Sequence, residues 1–370
     1  MRQRGWSQTS LARELDVSQP WVSQVISGKK DTGIAKAIKM LDCVGWELRI
    51  SPKREDADPV KRREFVTGVA SVALVPSPKT GPYQDPAYLR ELARRVTHDR
   101  DEHGGAAIAP AAIRHIRRIE QVVESRDREL QAAASDLACE TAWILIDARG
   151  LALAEKVGRL ALELARSSWR ADEQSQAYSV LAAINVDRGE VDRAIKYARL
   201  GMQVTGVSEV QQGWMRLRLG WTLGLVPGQV DAGRDILEDL RGSLAEVGGF
   251  SGQSAFDVAI MTGSVGCALN DVGSHGEAQT SLDAAVNLLG HSWPTPRAVY
   301  LTRQITAAFD VSQPALAADR MLTLARVVPL VNSPRIDSYV RQIAATSARW
   351  SAVPEVREAR EQLRTVVVAK

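Results

Sequence analysis

The sequence has few of the residues that would indicate catalysis, disulfide bonds or metal binding. Its three cysteines, Cys43, Cys139 and Cys267, are scattered and odd in number, which argues against a disulfide framework and for a reducing compartment. Its five histidines form no HExxH pair, and no Cys/His cluster has zinc spacing. P-loop and Gly-X-Ser-X-Gly motifs are missing as well. We therefore expect no enzyme activity, no catalytic residue, no metal site and no cofactor.

Aromatic residues are also scarce, at 5%, whereas Ala, Leu, Arg and Glu are abundant, a composition that favours helices over sheets. At 370 residues the chain is too long for one compact core. The net charge of +3 is unevenly distributed, because residues 1–54 hold ten Lys and Arg against five Asp and Glu, which leaves about −2 for the rest. A small basic unit joined to a larger, near-neutral unit is typical of a nucleic-acid binder with a separate control module.

One internal segment is similar to an export signal. Arg62 and Arg63 precede an apolar run that ends at Val75, as in a twin-arginine signal, but a working signal must lie at the N-terminus. We interpret residues 60–75 as a linker helix and expect a cytoplasmic protein that does not contact a membrane. The predicted domains are a DNA-binding unit at 1–54, a proline-marked linker at 55–86 and a helical body at 87–370.

The N-terminal unit has the pattern of two short helices joined by a turn. Ser18 is a suitable N-cap for the second helix, Pro20 falls in its first turn and Gly28 can end it. Apolar residues at helical spacing predict the buried faces of the two helices: Leu11, Ala12, Leu15, Val22 and Val25.

This pattern, QTSLARELDVSQPWVSQVISGK over residues 8–29, resembles the XRE (Cro/phage-repressor) helix-turn-helix family. The apolar positions of the family fall on Leu11, Leu15, Val17, Val22 and Val25, and its small residue falls on Ala12. Asp16 replaces the usual turn glycine, and only residues 1–6 precede the motif where the family has a full first helix. Either the start codon is misassigned or another element completes the small core.

The resemblance implies that the second helix enters the major groove of DNA. Glutamine can pair bidentately with adenine, so Gln19 and Gln24 are predicted to read bases together with their neighbours Pro20, Trp21 and Ser23. For Trp21, a partly buried packing role is an equal alternative. The residues expected to hold DNA phosphates are Gln8, Ser18, Lys29 and Lys30.

Residues 46–50, Trp-Glu-Leu-Arg-Ile, alternate between apolar and polar side chains as a strand does. A single five-residue strand is not stable alone. We therefore expect this strand to pair with its symmetry mate in a homodimer.

From Ala87 onward the chain is predicted to be all-α. Gly150, Gly189 and Gly228 are 39 residues apart, Gly273 follows 45 residues later, and each lies between two apolar-periodic segments. Around Gly189 and Gly273, large, small and turn residues resemble those of tetratricopeptide (TPR) repeats, although the period exceeds 34 residues. The fold class is thus a small helix-turn-helix domain followed by an α-solenoid of TPR-like hairpins, which must stack to bury their apolar faces. The whole chain resembles actinobacterial regulators with an XRE-type head and a TPR-like body.

This resemblance implies a concave groove for a signal, either a short peptide or a small molecule. The repeat pattern places nine residues on the groove face: Glu140, Asp147, Ser179, Arg218, Thr222, Asn270, Tyr300, Arg303 and Asp310. Arg218, Arg303 and Asn270 are the strongest candidates, because Arg can hold a carboxylate and Asn a peptide backbone. The alternative for each residue is a solvated helix face.

Together these features predict a homodimeric, sequence-specific regulator that binds a double-stranded DNA operator and responds to a ligand in the groove. Two alternatives stay open. In the first, the helical body is a TPR interaction scaffold and the head only tethers it to DNA. In the second, which the strand at 46–50 would suggest, the protein is an antitoxin-like repressor.

Overall fold

The computed structural model of the chain describes residues 12, 17–26, 46–49, 73–76 and 81–368. The chain divides into two compact units, Met1–Gln84 and Asp85–Lys370. The finer division into a DNA-binding unit, a linker and a body remains a prediction.

In the first unit, helix α1 (Gln19–Ile26) has the predicted cap. Ser18 Oγ accepts a hydrogen bond from the backbone N–H of Trp21 at 3.4 Å, and Pro20 is in the first turn of the helix. Val22 is buried, as is Ala12, whose carbonyl accepts the N–H of Val17 at 2.9 Å. The cap and these two buried positions are confirmed, whereas Leu11, Leu15, Asp16 and Gly28 lie outside the described residues.

Two short strands, β1 (Trp46–Arg49) and β2 (Ala73–Pro76), form an antiparallel pair in which Trp46 lies opposite Pro76 and Arg49 opposite Ala73. The predicted strand at 46–50 is confirmed over 46–49, but its partner belongs to the same chain and not to a symmetry mate. Residues 73–75 are correspondingly strand and not the end of a linker helix. The backbone N–H and C=O groups of β1 need hydrogen-bond partners. At 73–75, Ala-Leu-Val supplies them as a strand, and this tertiary pairing prevails over the helical pattern of the local sequence.

The second unit is built from α-helices, with short 3₁₀ turns at Glu120–Glu124, Val328–Leu330 and Ser347–Trp350; a further 3₁₀ turn, Pro82–Gln84, ends the first unit. It is a series of stacked helical hairpins, which confirms the predicted α-solenoid. The helices within the described range 86–368 are α2 (Pro86–His103), α3 (Gly105–Ile119), α4 (Arg128–Asp147), α5 (Leu151–Ser168), α6 (Ala171–Asp187), α7 (Val191–Met202), α8 (Glu209–Gly224), α9 (Val230–Val247), α10 (Ala255–Asp271), α11 (His275–Leu289), α12 (Pro294–Asp310), α13 (Pro314–Val327), α14 (Pro334–Thr346) and α15 (Pro354–Val368).

The four glycines singled out by their spacing lie in hairpin turns, as predicted. Gly189, Gly228 and Gly273 have φ of +74°, +83° and +86° between α6 and α7, α8 and α9, and α10 and α11. Gly150 lies between α4 and α5, and there the preceding residue, Arg149, takes the positive φ of 61°. Glycine adopts this left-handed conformation without the steric cost that a Cβ brings.

The even-numbered helices form the inner layer of the solenoid, since each packs on the next even-numbered helix along the array. The array then curls back on itself: α12 contacts α2, and α14 contacts α4. Backbone hydrogen bonds join the two ends of the array, and we call this junction the seam. Asn332 N–H donates to the His103 carbonyl at 2.7 Å, and Ala106 N–H donates to the Asn332 carbonyl at 3.2 Å. The inner helices therefore enclose a ring.

Asp147 is the central polar residue of this seam and is 1% exposed. One carboxylate oxygen accepts the backbone N–H of Gly105 at 2.5 Å, and the other accepts the hydroxyl of Ser333 at 2.7 Å and lies 3.3 Å from Arg335 Nε. A single carboxylate thus links α4 to α3 and to α14.

Candidate functional site

The ring surrounds a cavity of about 560 Å³ that is partly open to solvent and lies within the size range of small-molecule sites. Residues of all seven even-numbered helices from α2 to α14 line it, and so does the segment 251–253. The cavity therefore depends on the whole array, not on one hairpin.

The most distinctive group in the cavity is Arg218, which is 5% exposed on α8. Its guanidinium carbon lies 5.2, 5.8 and 5.6 Å from the ring centres of Trp143, Trp214 and Trp221, distances at which a cation and an aromatic face attract. Arg218 Nε donates a hydrogen bond to Ser179 Oγ at 3.1 Å. Trp214, Arg218 and Trp221 lie on one face of α8 because their spacing is four and three residues.

Arg218 differs from the other arginines that line the cavity. Within the described part of the chain, no carboxylate lies within 4.0 Å of its guanidinium, so it has no ion-pair partner. Burial lowers the pKa of Arg218 to about 10, against the opposing effect of Asp187, and the group stays charged at neutral pH. The other three arginines have carboxylate partners: Arg100 pairs with Asp101 at 2.9 Å and Glu140 at 3.1 Å, Arg303 with Asp271 at 2.9 Å and Arg335 with Asp147 at 3.3 Å.

The walls around Arg218 are held by further polar contacts. Asp271 accepts the indole N–H of Trp221 at 3.2 Å as well as a guanidinium N–H of Arg303, which fixes the orientation of that indole. The hydroxyl of Tyr300 donates to the carbonyl of Ile260 at 3.0 Å, and burial raises the pKa of Tyr300 above its usual range. These contacts hold the aromatic walls in place before any ligand binds.

The structure brings together most of the predicted groove residues but not all. Ser179, Arg218, Tyr300, Arg303 and Glu140 line the cavity.

Asn270 and Asp310 do not line the cavity, although both belong to inner helices. Asn270 Oδ1 lies 3.0 Å from Nδ1 of His275 across the turn from α10 to α11, and Asp310 is exposed as the last residue of α12. Thr222 is buried and back-bonds to the carbonyl of Arg218, while Asp147 lies at the seam. The repeat pattern predicted the correct helices but not which positions along each helix face the cavity.

The sequence analysis missed the three tryptophans that surround Arg218, which we call the tryptophan cage: Trp143, Trp214 and Trp221. A signal for two of them was available, since an arginine four residues after one tryptophan and three before another shares a helix face with both. Trp143 comes from α4, 75 residues before Arg218, and no local spacing indicates that contact.

The cavity holds one thiol, Cys267, and burial raises its pKa to about 11. The thiol is therefore neutral at physiological pH and is not an activated nucleophile. Among the described residues, no group of three or more His, Cys, Asp or Glu side chains is arranged to hold a metal ion. Every helix in the described part of the chain is too short or too polar to cross a membrane.

In the first unit, α1 presents several of the residues expected to read bases. Gln19, Pro20 and Gln24 are exposed, and Trp21 and Ser23 are half-buried. Ser18 is exposed at the cap. The remaining phosphate candidates, Gln8, Lys29 and Lys30, lie outside the described residues.

Comparison with known proteins adds one family. Residues 1–45 match the family model HTH_3, described as Helix-turn-helix. No curated protein matches the chain. Among solved structures, the chain is similar to the crystal structure of BtubC (BKLC) from P. vanneervenii, at 16% sequence identity and a TM-score of 0.41, over 62% of this chain and 90% of the other. A similarity of this size carries no inference about function.

The family match confirms the XRE-type helix-turn-helix at the N-terminus and supports a DNA-binding transcription regulator. It covers residues 1–45 and does not extend to the helical array that encloses the cavity. The tetratricopeptide character of the hairpins, the actinobacterial type, the homodimer and the ligand remain predictions.

Proposed function

We propose that this chain is a sequence-specific transcription regulator whose affinity for its DNA operator is set by a ligand in the cavity of the second unit. The match of residues 1–45 to a helix-turn-helix family carries the DNA-binding part of the proposal. The cavity around Arg218 supports the sensing part.

Base readout is assigned to the exposed face of α1. Gln19 and Gln24 each have the amide needed for a bidentate contact with adenine, worth about 1–3 kcal/mol of discrimination per pair. Pro20, Trp21 and Ser23 complete the face that would meet the bases. Gln8, Ser18, Lys29 and Lys30 are assigned to phosphates, which position the helix without reading sequence.

The closed ring favours a sensor over an interaction scaffold. An extended protein segment needs an open concave surface, whereas here α12 meets α2 and α14 meets α4. What remains is a cavity of about 560 Å³, a size that suits a small molecule or the end of a short peptide.

The switch that we propose is a population shift in a cytoplasmic homodimer. A ligand with different affinities for two arrangements of the dimer would move the two recognition helices relative to major grooves about 34 Å apart. The pairing of β1 with β2 removes the strand argument for the dimer, so the oligomeric state rests on the symmetry of operator recognition alone. Light scattering on the free protein and on its DNA complex tests it, and a monomer in both would contradict it.

The experiment that tests DNA reading begins with selection of bound duplexes from random DNA. The affinities of the wild type and of a Gln19→Ala/Gln24→Ala variant are then compared on the selected and on a scrambled duplex. We expect the variant to lose at least about tenfold on the selected duplex and little on the scrambled one, because it loses base contacts and keeps phosphate contacts. Gln203→Ala, at the exposed residue that follows α7, is the matched control.

Equal affinity of the variant and the wild type on the selected duplex would contradict base readout by α1. Absence of any enriched sequence would favour the scaffold alternative, in which the head only tethers the body to DNA.

A further inference from the structure

We propose that the cavity binds a small molecule with a single carboxylate on a flat unsaturated body, and that Arg218 holds the carboxylate. This rests on the proposed sensing function and names the chemistry of its ligand. The observation that carries it is a buried guanidinium, enclosed by three indoles, that has no carboxylate partner among the described residues.

The hydrogen-bonding capacity of Arg218 is largely unused. A guanidinium has five N–H donors, and the one side-chain hydrogen bond that Arg218 makes to a described residue joins its Nε to Ser179 Oγ at 3.1 Å. Its two terminal nitrogens therefore have no acceptor among the described residues, although Arg218 lines the cavity. A carboxylate accepts two parallel N–H bonds from such a fork, and that geometry would satisfy the group.

The groups around Arg218 determine how a ligand can approach its guanidinium. The bond from Nε to Ser179 and the indole of Trp221, itself held by Asp271, fix the plane of the guanidinium. Planar π systems stack well on indole and guanidinium faces, so a flat ligand body fits these walls better than a branched aliphatic one.

The carboxylates that line the cavity disfavour a second negative charge on the ligand, because Asp187 and Asp257 both line it without an ion pair among the described residues. Apart from Arg218, the arginines of the lining are already neutralised by their carboxylate partners. Asp187 also acts on Arg218 electrostatically. A second negative charge on the ligand would meet these carboxylates, so a dianion such as a phosphate monoester should bind less well than a carboxylate.

The test is calorimetric titration of the full chain, without DNA, with paired probes that differ in charge alone. Cinnamate is compared with cinnamamide, and acetyl-glycyl-phenylalanine with its C-terminal amide, which separates an aromatic acid from a peptide terminus as the source of the carboxylate. Phenyl phosphate is the dianionic probe. We expect cinnamate to bind at least about tenfold more tightly than cinnamamide, and more tightly than the peptide acid, because hydrogen bonds to a charged acceptor are stronger than those to a neutral one.

Arg218→Met keeps an unbranched, though shorter, side chain and removes the guanidinium fork, so it should abolish the preference for the acid over the amide. The matched control is Arg216→Met on the same helix, where the arginine pairs with the exposed Asp239 outside the cavity. It should bind within about twofold of the wild type. Thermal unfolding of both variants verifies that they are folded.

Equal binding of acid and amide, no binding of either acid up to its solubility limit, or an acid preference that survives in Arg218→Met would each overturn the proposal. The titrations contain no DNA, so their result is independent of the proposed function. If the acid binds through Arg218 but leaves DNA affinity unchanged, the ligand assignment stands and the switch fails.

Discussion

At the scale of single residues, the buried cation of Arg218 destabilises the ligand-free protein. Cation–π contacts contribute about 0.5–2 kcal/mol each, but a buried charge without an ionic partner has lost its hydration. The three indoles and one hydroxyl around it compensate in part. A site of this kind lowers the stability of the ligand-free protein and strengthens ligand binding, because the ligand supplies the missing counter-charge.

Replacing Arg218 with Met should therefore stabilise the ligand-free protein. We expect an increase of about 1–4 kcal/mol in the free energy of unfolding, as when buried charges are replaced by apolar residues of similar volume. Urea unfolding at neutral pH measures it. Arg216→Met should change the value by less than about 0.5 kcal/mol. Clear destabilisation by Arg218→Met alone would show that the cation is a structural member of the cage.

Asp136, half-buried on α4, gives a pH-dependent prediction. Burial and the neighbouring Glu173 and Glu140 raise the pKa of Asp136 to about 7. An unfolded aspartate has a pKa of about 3.9, so between pH 4 and 7 the folded state binds the extra proton and stability from this group falls as pH rises.

Asp136→Asn removes that pH dependence. The substitution should raise the melting temperature at pH 8, where the native carboxylate is ionised, and raise it much less at pH 5, where that carboxyl is protonated. Asp235→Asn, an exposed residue of α9, serves as the control and should have little effect at either pH. An equal effect of Asp136→Asn at both pH values would contradict the raised pKa.

At the scale of elements, the hairpin of α8 and α9 depends on backbone contact at glycine. A Cβ on Gly233 would lie 2.3 Å from the backbone nitrogen of Gly224 and 2.5 Å from the carbonyl oxygen of Gly220. Neither atom can move without displacing its helix. The small residues set how closely α8 lies against α9, and with it the position of Arg218.

Gly233→Ala should therefore destabilise the protein by about 1–3 kcal/mol or more, as overpacking does. Gly242→Ala is the matched control on the same helix, since a Cβ there meets no atom within 4 Å. That substitution should stabilise by about 0.5–1 kcal/mol through helix propensity. Thermal unfolding compares them, and equal effects of the two would contradict the close approach of α8 and α9.

The elements also show what the sequence could reveal. Local features were predictable: the cap at Ser18, the strand at 46–49 and the turns at Gly189 and Gly273 each follow from a few neighbouring residues. The partner of β1 was not, because its pairing with 73–76 depends on contacts between residues 24 to 30 positions apart, from Arg49 opposite Ala73 to Trp46 opposite Pro76. Local patterns give elements, whereas partners depend on tertiary context.

In the candidate site too, the features that depend on local patterns were predictable and those that depend on contacts between distant residues were not. Ser179, Arg218, Tyr300 and Arg303 were predicted from the repeat pattern, which identifies the inner face of a hairpin array. The contribution of Trp143 and the closure of the ring were not, since they join residues far apart in the chain. The bond from Ser333 to Asp147 spans 186 residues and leaves no periodic signal.

At the scale of the whole second unit, ring closure converts a groove into a cavity, and Asp147 is the residue that links its two ends. Replacing Asp147 with Ala leaves the half-buried Arg335 without its carboxylate and removes the acceptor of Ser333. We expect a loss of about 3–5 kcal/mol in stability, the usual effect of breaking a buried pair.

Hydrogen exchange should locate that loss. In Asp147→Ala the amides of Asn332 and Ala106, which bond across the seam, should exchange faster than in the wild type. Asp239→Ala removes an exposed ion pair and is the control, expected to cost less than about 1 kcal/mol. Unchanged exchange at both seam amides would contradict the role of Asp147 in closure.

The central claim, that occupancy of the cavity controls DNA reading, is tested most directly by one affinity measurement. The dissociation constant for the selected duplex is measured by fluorescence anisotropy, with and without a saturating concentration of the acid that binds most tightly through Arg218. A coupling of about 1–3 kcal/mol predicts a change of at least about fivefold in the wild type and none in Arg218→Met. The same dissociation constant with and without the bound acid in the wild type would contradict the account.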